Sequence, residues 1–381
     1  MTSFNVKWGV LSSSPPTACG IATFTTALGK ALTRRGEDVT LVRILEGGDA
    51  PATSPFTVAS ELKAGDSSSI ARTAWSLNRS DVALIQHEFG LYGGEDGGDV
   101  VLVMSQLKVP VMTILHTVLP SPTESQRIVL NQVIGHSTAV VVMTDAAEVT
   151  LRRSYQVGET PVHVIPHGAA LGEVGVSPTP GTSPILLTWG LIGPGKGIEW
   201  VIDAMAQLRD LDPLPSYVVA GRTHPKVLAY QGDIYRHSLE RRVQENEVGD
   251  MVFFDNAYRK LASLNTLIAS AAMVVLPYDS PDQATSGVLV DAIAAGRPVV
   301  ATSFPHSREM LASGAGIVVA HRSARALSTA IRRILTHPTL AESMRQEARR
   351  IAPSLGWDGV ALRYVDLARD LLRFTALPVS A

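Results

Sequence analysis

Cysteine is almost absent. Cys19 is the only one in 381 residues, so no disulfide can form within the chain and a zinc site built on thiolates is excluded. An excess of charge is missing too: 33 Lys and Arg stand against 35 Asp and Glu, which leaves no electrostatic footprint for nucleic acid. The first 168 residues hold 12 basic and 15 acidic side chains, so a broad cationic face for anionic lipid has no support there. Local peripheral contact with a membrane is left open. No apolar run reaches the roughly 18–20 residues that a bilayer-spanning helix needs. The first residues enter a strand pattern with no positive stretch followed by an apolar one, so a cytoplasmic protein is expected.

What the chain does have is apolar surface, 45% hydrophobic against 18% charged, and a length that suits two domains. Short β-branched runs alternate with helical patterns. The first series of strands is expected at Val6–Leu11, Asp38–Ile44, Val82–Gln86, Val109–His116, Ala139–Met143 and Val162–Pro166. These are continuous apolar runs, as in parallel strands covered on both faces. Residues 169–183 lose the periodicity and fill with Gly, Pro and Ser, which predicts a linker. Strands then resume at Ile185–Trp189, Ser216–Ala220, Met251–Asp255, Met273–Pro277, Pro298–Thr302 and Gly316–Val319. The last helices are expected at about 324–350 and 357–374. The fold class is therefore α/β, with two Rossmann-like doubly wound domains facing across a cleft. The domains are expected at 1–168 and 184–356, with helix 357–374 completing the first.

Ligands of open α/β sheets bind beyond the carboxyl ends of the strands, and polar or glycine-rich segments follow several of these runs. Pro15–Ala22 opens a helix, and Gly20 lets the backbone approach an anion at that helix start. Gly190-Leu-Ile-Gly193-Pro-Gly195-Lys196-Gly197 joins a strand to a helix, with amides and one cation suited to phosphate. It fits the opening GxxxxGK of a P-loop, but Gly197 stands where a Mg²⁺-binding Ser or Thr is required. Further on, Ser286 and Gly287 start a helix whose free amides suit a diphosphate. Asp291 lies one turn in, where a carboxylate can hold ribose hydroxyls, and Gln283 precedes the helix. In the first half, His116 ends a strand, and His87 and Glu88 end another before a Gly-rich loop that begins at Tyr92. Polar residues in such a loop suit a hydroxylated acceptor. One His–Glu pair lacks the ligand count of a metal centre, and no metal site is expected.

In this order the motifs resemble those of the retaining glycosyltransferase family 4, of GT-B fold, over nearly the whole chain. Pro16–Ala22 is similar to that family's glycine loop, His116 to its strand-end histidine, and Val164–Gly168 to its IPNG segment. Lys196-Gly197 is similar to the KG pair at the donor diphosphate, and Gln283 to Asp291 falls on the E-x7-E motif. Both carboxylates of that motif depart from the pattern, Gln283 for the first Glu and Asp291 for the second, and Leu191 stands where an Arg is frequent. The variant is read as a subgroup with GPGKG and QxxSG motifs. The resemblance implies transfer of a hexose from a GDP-mannose or UDP-glucose type of donor to a saccharide or small metabolite. It implies retention at the anomeric carbon, with no metal and no cofactor. His116, Lys196 and Gln283 would be the catalytic residues. Gly20, Gly190, Gly193, Gly195, Arg222, Ser286, Gly287 and Asp291 would bind the donor, its base near Phe253–Tyr258. His87, Glu88 and Tyr92 would meet the acceptor. The competing readings are a sugar-nucleotide epimerase on the same fold and a non-catalytic nucleotide-sugar-binding protein.

Overall fold

A computed structural model describes residues 5–17, 19–45, 53–171, 182–257, 259 and 261–376. Residues up to Gly168, together with those from Trp357 onward, form one compact unit, and Ala169–Gly356 forms the other. Most of the linker expected over 169–183 lies outside the described residues.

The first unit runs β1 (Lys7–Ser12), α1 (Gly20–Arg34), β2 (Asp38–Leu45), β3 (Thr57–Lys63), α2 (Ser67–Leu77) and β4 (Val82–His87). It continues through α3 (Asp99–Met104), β5 (Val111–Leu115), α4 (Glu124–Gly135), β6 (Ala139–Val142), α5 (Asp145–Ser154) and β7 (Val162–Val164). Its strands pair in parallel in the order β3-β2-β1-β4-β5-β6-β7. β4, β5 and β6 are buried along their whole length, which is why they read as unbroken apolar runs. β3 was not expected. It is an edge strand in which exposed residues alternate with half-buried Val58 and Ser60 and buried Leu62, so it lacks that run. Several helix starts are set by side chains, as at α2, where Asp66 accepts from the Ser68 and Ser69 amides.

The second unit runs β8 (Ile185–Trp189), α6 (Ile198–Ala206), β9 (Ser216–Ala220), α7 (Pro225–Gln231), α8 (Ile234–Glu245), β10 (Val252–Asp255) and α9 (Leu261–Ser270). Then come β11 (Met273–Leu276), α10 (Gly287–Ala294), β12 (Val299–Thr302), α11 (Pro305–Leu311), β13 (Gly316–Val319), α12 (Ala324–Thr336) and α13 (Pro338–Leu355). The sheet is again parallel, in the order β10-β9-β8-β11-β12-β13. The single helix expected over 324–350 is two. Pro338 cannot continue a helix but suits the first position of a new one, and α13 begins there.

α14 (Trp357–Ala376) returns to the first unit. Val360, Ala361, Tyr364, Val365 and Ala368 recur at helical spacing and are buried beside Phe24, Leu28 and Leu32 of α1. Among the described residues no helix is long and apolar enough to cross a membrane.

Candidate functional site

In each sheet the connections diverge from one central strand pair, β1/β4 in the first and β8/β11 in the second. Such switch points open a crevice at the carboxyl ends of the strands. At β8/β11 the crevice is built by the loop 190–197 and the segment after β11. Asp279 N–H donates to Gly195 O at 2.9 Å, and Lys196 N–H donates to Gly193 O at 3.2 Å. Gly197 caps α6 at φ +67°, and a Cβ there would lie 1.8 Å from Pro277 O, so only glycine fits. The Lys196 ammonium sits 4.7 Å from the centroid of the Tyr278 ring, which itself stacks on Phe304. No hydrogen bond engages the Gly193 and Gly195 amides among the described residues.

The neighbouring strand end is tied to this loop. Gly190 N–H donates to Ala220 O and Ile192 N–H to Arg222 O, while the Arg222 side chain is exposed. Buried Arg236 of α8, unforeseen in the sequence, holds the turn after β9 from below. Its guanidinium donates to Gly221 O at 2.7 Å and to Asn256 Oδ1. Of the segment expected near the base, Tyr258 lies outside the described residues.

Ser286 caps α10, its Oγ accepting from Leu289 N–H at 3.3 Å. Its own N–H, expected to face a diphosphate, instead donates to His306 Nδ1 at 2.9 Å. The amides free of hydrogen bonds at this helix start, among the described residues, are those of Gly287 and Val288. Gln283 turns inward, its Nε2 donating to Thr285 O at 2.5 Å, so its Oε1 is the atom left to meet a ligand. Burial pushes the Asp291 carboxyl up to about 7.

In the first unit Gly20 is the exposed first residue of α1, with nothing within 4 Å of where a Cβ would stand. Ala18, before it, lies outside the described residues. Cys19 caps that helix, its Sγ accepting from Ala22 N–H at 3.3 Å. His116 follows β5, and its Nε2 lies 2.6 Å from Gln86 Oε1. With that oxygen as acceptor Nε2 carries the proton, leaving Nδ1 a lone pair. Burial, helped by the nearby His167 and His87, pulls the His116 imidazole down to about 3, so it is neutral at physiological pH. Phe24 meets the rings of His116, His167 and Trp357 edge-on at 5.0, 5.0 and 5.1 Å. This box joins four segments far apart in sequence. In the sequence, His116 was marked by its strand end and His167 by the Val164–Gly168 segment; that Phe24 and Trp357 join them was not.

The three residues expected at an acceptor differ in access. His87 is fully buried, with neither ring nitrogen hydrogen-bonded, and burial pulls it down to about 4. The buried Tyr92 hydroxyl donates to Gln86 O at 2.6 Å, and burial raises its phenol well above the usual value. Glu88 is half-buried and accepts from Gly90 N–H at 2.8 Å. Among the described residues no group of three His, Cys, Asp or Glu is placed to hold a metal ion.

Comparison with known proteins assigns both halves. Residues 18–172 match the family model described as Glycosyltransferase Family 4, and 174–351 that described as Glycosyl transferases group 1. No curated protein matches the sequence. Among solved structures the chain is similar to the sucrose-phosphate synthase of Thermosynechococcus elongatus. Identity is 21% and the TM-score 0.76, covering 98% of this chain and 100% of that one. It is also similar to Anabaena Alr3699/HepE in complex with UDP and glucose, at 15% identity and a TM-score of 0.77, over 96% and 100% of the two chains. A glycosyltransferase from Rickettsia africae has 14% identity and a TM-score of 0.76, over 97% and 100%. At these identities the likeness is one of fold.

Proposed function

We propose that this chain, whose two halves match a family 4 and a group 1 glycosyltransferase model, is a glycosyltransferase of GT-B type that moves a hexose from a nucleotide-diphosphate sugar to a saccharide or small-metabolite acceptor, with retention and without a metal ion. The observation that carries this reading is the Lys196 ammonium standing over Tyr278 at the β8/β11 switch point. Breaking the glycosyl–phosphate bond leaves negative charge on the diphosphate. A fixed cation together with the amides of Gly193, Gly195 and Gly287 stabilises that charge as it develops. The departing phosphate oxygen takes the acceptor's proton, so no separate base is required. Gln283 Oε1 accepts from a sugar hydroxyl, Asp291 holds the ribose, and neutral His116 orients the transferred sugar. Gly190 and Arg222 complete the donor-side contacts. Anabaena Alr3699/HepE binds UDP-glucose, which supports a UDP-sugar as the donor; GDP-mannose is the other candidate. The near-neutral charge of the first 168 residues favours an uncharged hydroxylated acceptor over an anionic lipid surface.

Thermal unfolding with UDP, GDP, ADP and ATP, each with Mg²⁺ and with EDTA, tests this. A nucleotide that binds only the native state raises the melting temperature by mass action. A shift by UDP or GDP that survives EDTA, and that Lys196→Ala abolishes with the fold intact, supports the proposal. A shift by ATP and Mg²⁺ alone, or undiminished binding in the Lys196 variant, sinks it.

A further inference from the structure

A buried N-cap amide needs an acceptor, because leaving it unpaired costs more than the bond itself returns. Ser286 is 5% exposed. In a complete capping box the third helical residue is Glu or Gln, and its side chain turns back to the N-cap amide. This chain shows that arrangement at α4, where Thr123 and Gln126 satisfy each other. At α10 the third residue is Leu289, fully buried in the core and without a polar side-chain atom, so only half of the box can form locally. The other half arrives through the tertiary structure. His306, at the start of α11, places Nδ1 2.9 Å from the Ser286 nitrogen. His306 is 2% exposed and is preceded by Pro305, which fixes the backbone of that turn. Accepting from an amide makes Nδ1 the lone pair and puts the ring proton on Nε2.

We infer that His306 is a positioning residue for the donor site: by completing the cap of α10 it sets where the Gly287 and Val288 amides and the Gln283 side chain stand. Gln283 is bonded to Thr285 O within the same loop, so the loop and the helix start move as one piece when that cap shifts. The role rests on the diphosphate site proposed above.

The experiment is calorimetric titration of the full chain with UDP and with GDP, alongside thermal melts, for wild type and for His306→Ala, His306→Asn and His306→Gln. Asn carries its oxygen at the same number of bonds from Cα as Nδ1, whereas the Gln oxygen lies one bond further out. Affinity in the Asn variant should stay within about threefold of wild type. The Ala and Gln variants should each bind about tenfold more weakly, the equivalent of ~1.4 kcal/mol. If the Ala variant does not fold, the contrast between Asn and Gln decides. Equal affinity in all four proteins overturns the role, and so does an Asn variant as weak as Ala, because shape and not the acceptor would then matter. Wild type that binds neither nucleotide refutes the diphosphate site itself and removes the role with it. Binding by wild type with no effect at His306 refutes the role alone.

Discussion

Replacing Asp291 by Asn should stabilise the second unit and weaken nucleotide binding at the same time. Burial holds this carboxyl at about 7, against an ordinary value of 3.8. No hydrogen bond or ion pair engages it among the described residues. A gap of about three units is worth ~4 kcal/mol at most. Partial exposure and relaxation of the site reduce the net gain to about 1–2 kcal/mol. The sign follows from where each state holds its proton. Below pH ~4 the carboxyl is protonated in both states and the substitution is neutral. From there to pH ~7 the unfolded chain ionises while the fold keeps its proton, so wild-type stability falls with rising pH and the advantage of Asn grows. Above that it stays constant. Thermal unfolding at pH 5 and pH 8 reads this directly, at about 2–4 °C per kcal/mol for a unit of 150–250 residues. The stabilisation should be larger at pH 8, reaching several degrees. Equal gains at both pH values, or a loss at pH 8, would refute burial as the cause. Titration with UDP or GDP at pH 8 reads the functional half, where loss of the carboxylate proposed to hold the ribose should cost about tenfold, or ~1.4 kcal/mol. Unchanged affinity removes Asp291 from the donor site and leaves the stability argument standing.

Two further outcomes are expected. Gly197→Ala puts a methyl against Pro277 O at a left-handed backbone position, so both the fold of the loop and nucleotide affinity should suffer. A variant with wild-type melting and binding would show that the loop has another conformation. Tyr92→Phe deletes a hydroxyl bonded to Gln86 O and should lower stability by about 1 kcal/mol in a denaturant titration. Transfer rates should be unchanged once an acceptor is in hand, and a raised acceptor KM would show that the hydroxyl leaves Gln86 for the substrate.

Much of the architecture was legible because burial on both faces leaves unbroken apolar runs. All six strands expected in each half appear, and the alternation with helices implied parallel sheets. The misses have a common cause. β3 lies at an edge, half exposed, so its sequence alternates and carries no continuous run. α7 and α8, between β9 and β10, and α11, between β12 and β13, were not foreseen either: α7 has no buried residue, α8 buries only Arg236, Leu239 and Val243, and α11 has only seven residues, too little of a stripe to read.

The candidate site divides the same way. Glycines and lone charges announce themselves in sequence because few other residues serve at a tight strand-to-helix turn, as Gly190 to Gly197 does. Which amides and side chains remain free to meet a ligand is decided by partners distant in the chain. Ser286 was expected to offer its amide outward, yet His306 takes it; Tyr92 spends its hydroxyl on Gln86 O, and Gln86 in turn meets His116. Local sequence determined the strands, the turns and the kinds of chemistry present, since periodicity and backbone sterics act over a few residues. Hydrogen-bond partnership was left to the tertiary structure, because each donor and acceptor is satisfied by whichever group the packed fold brings within about 3 Å.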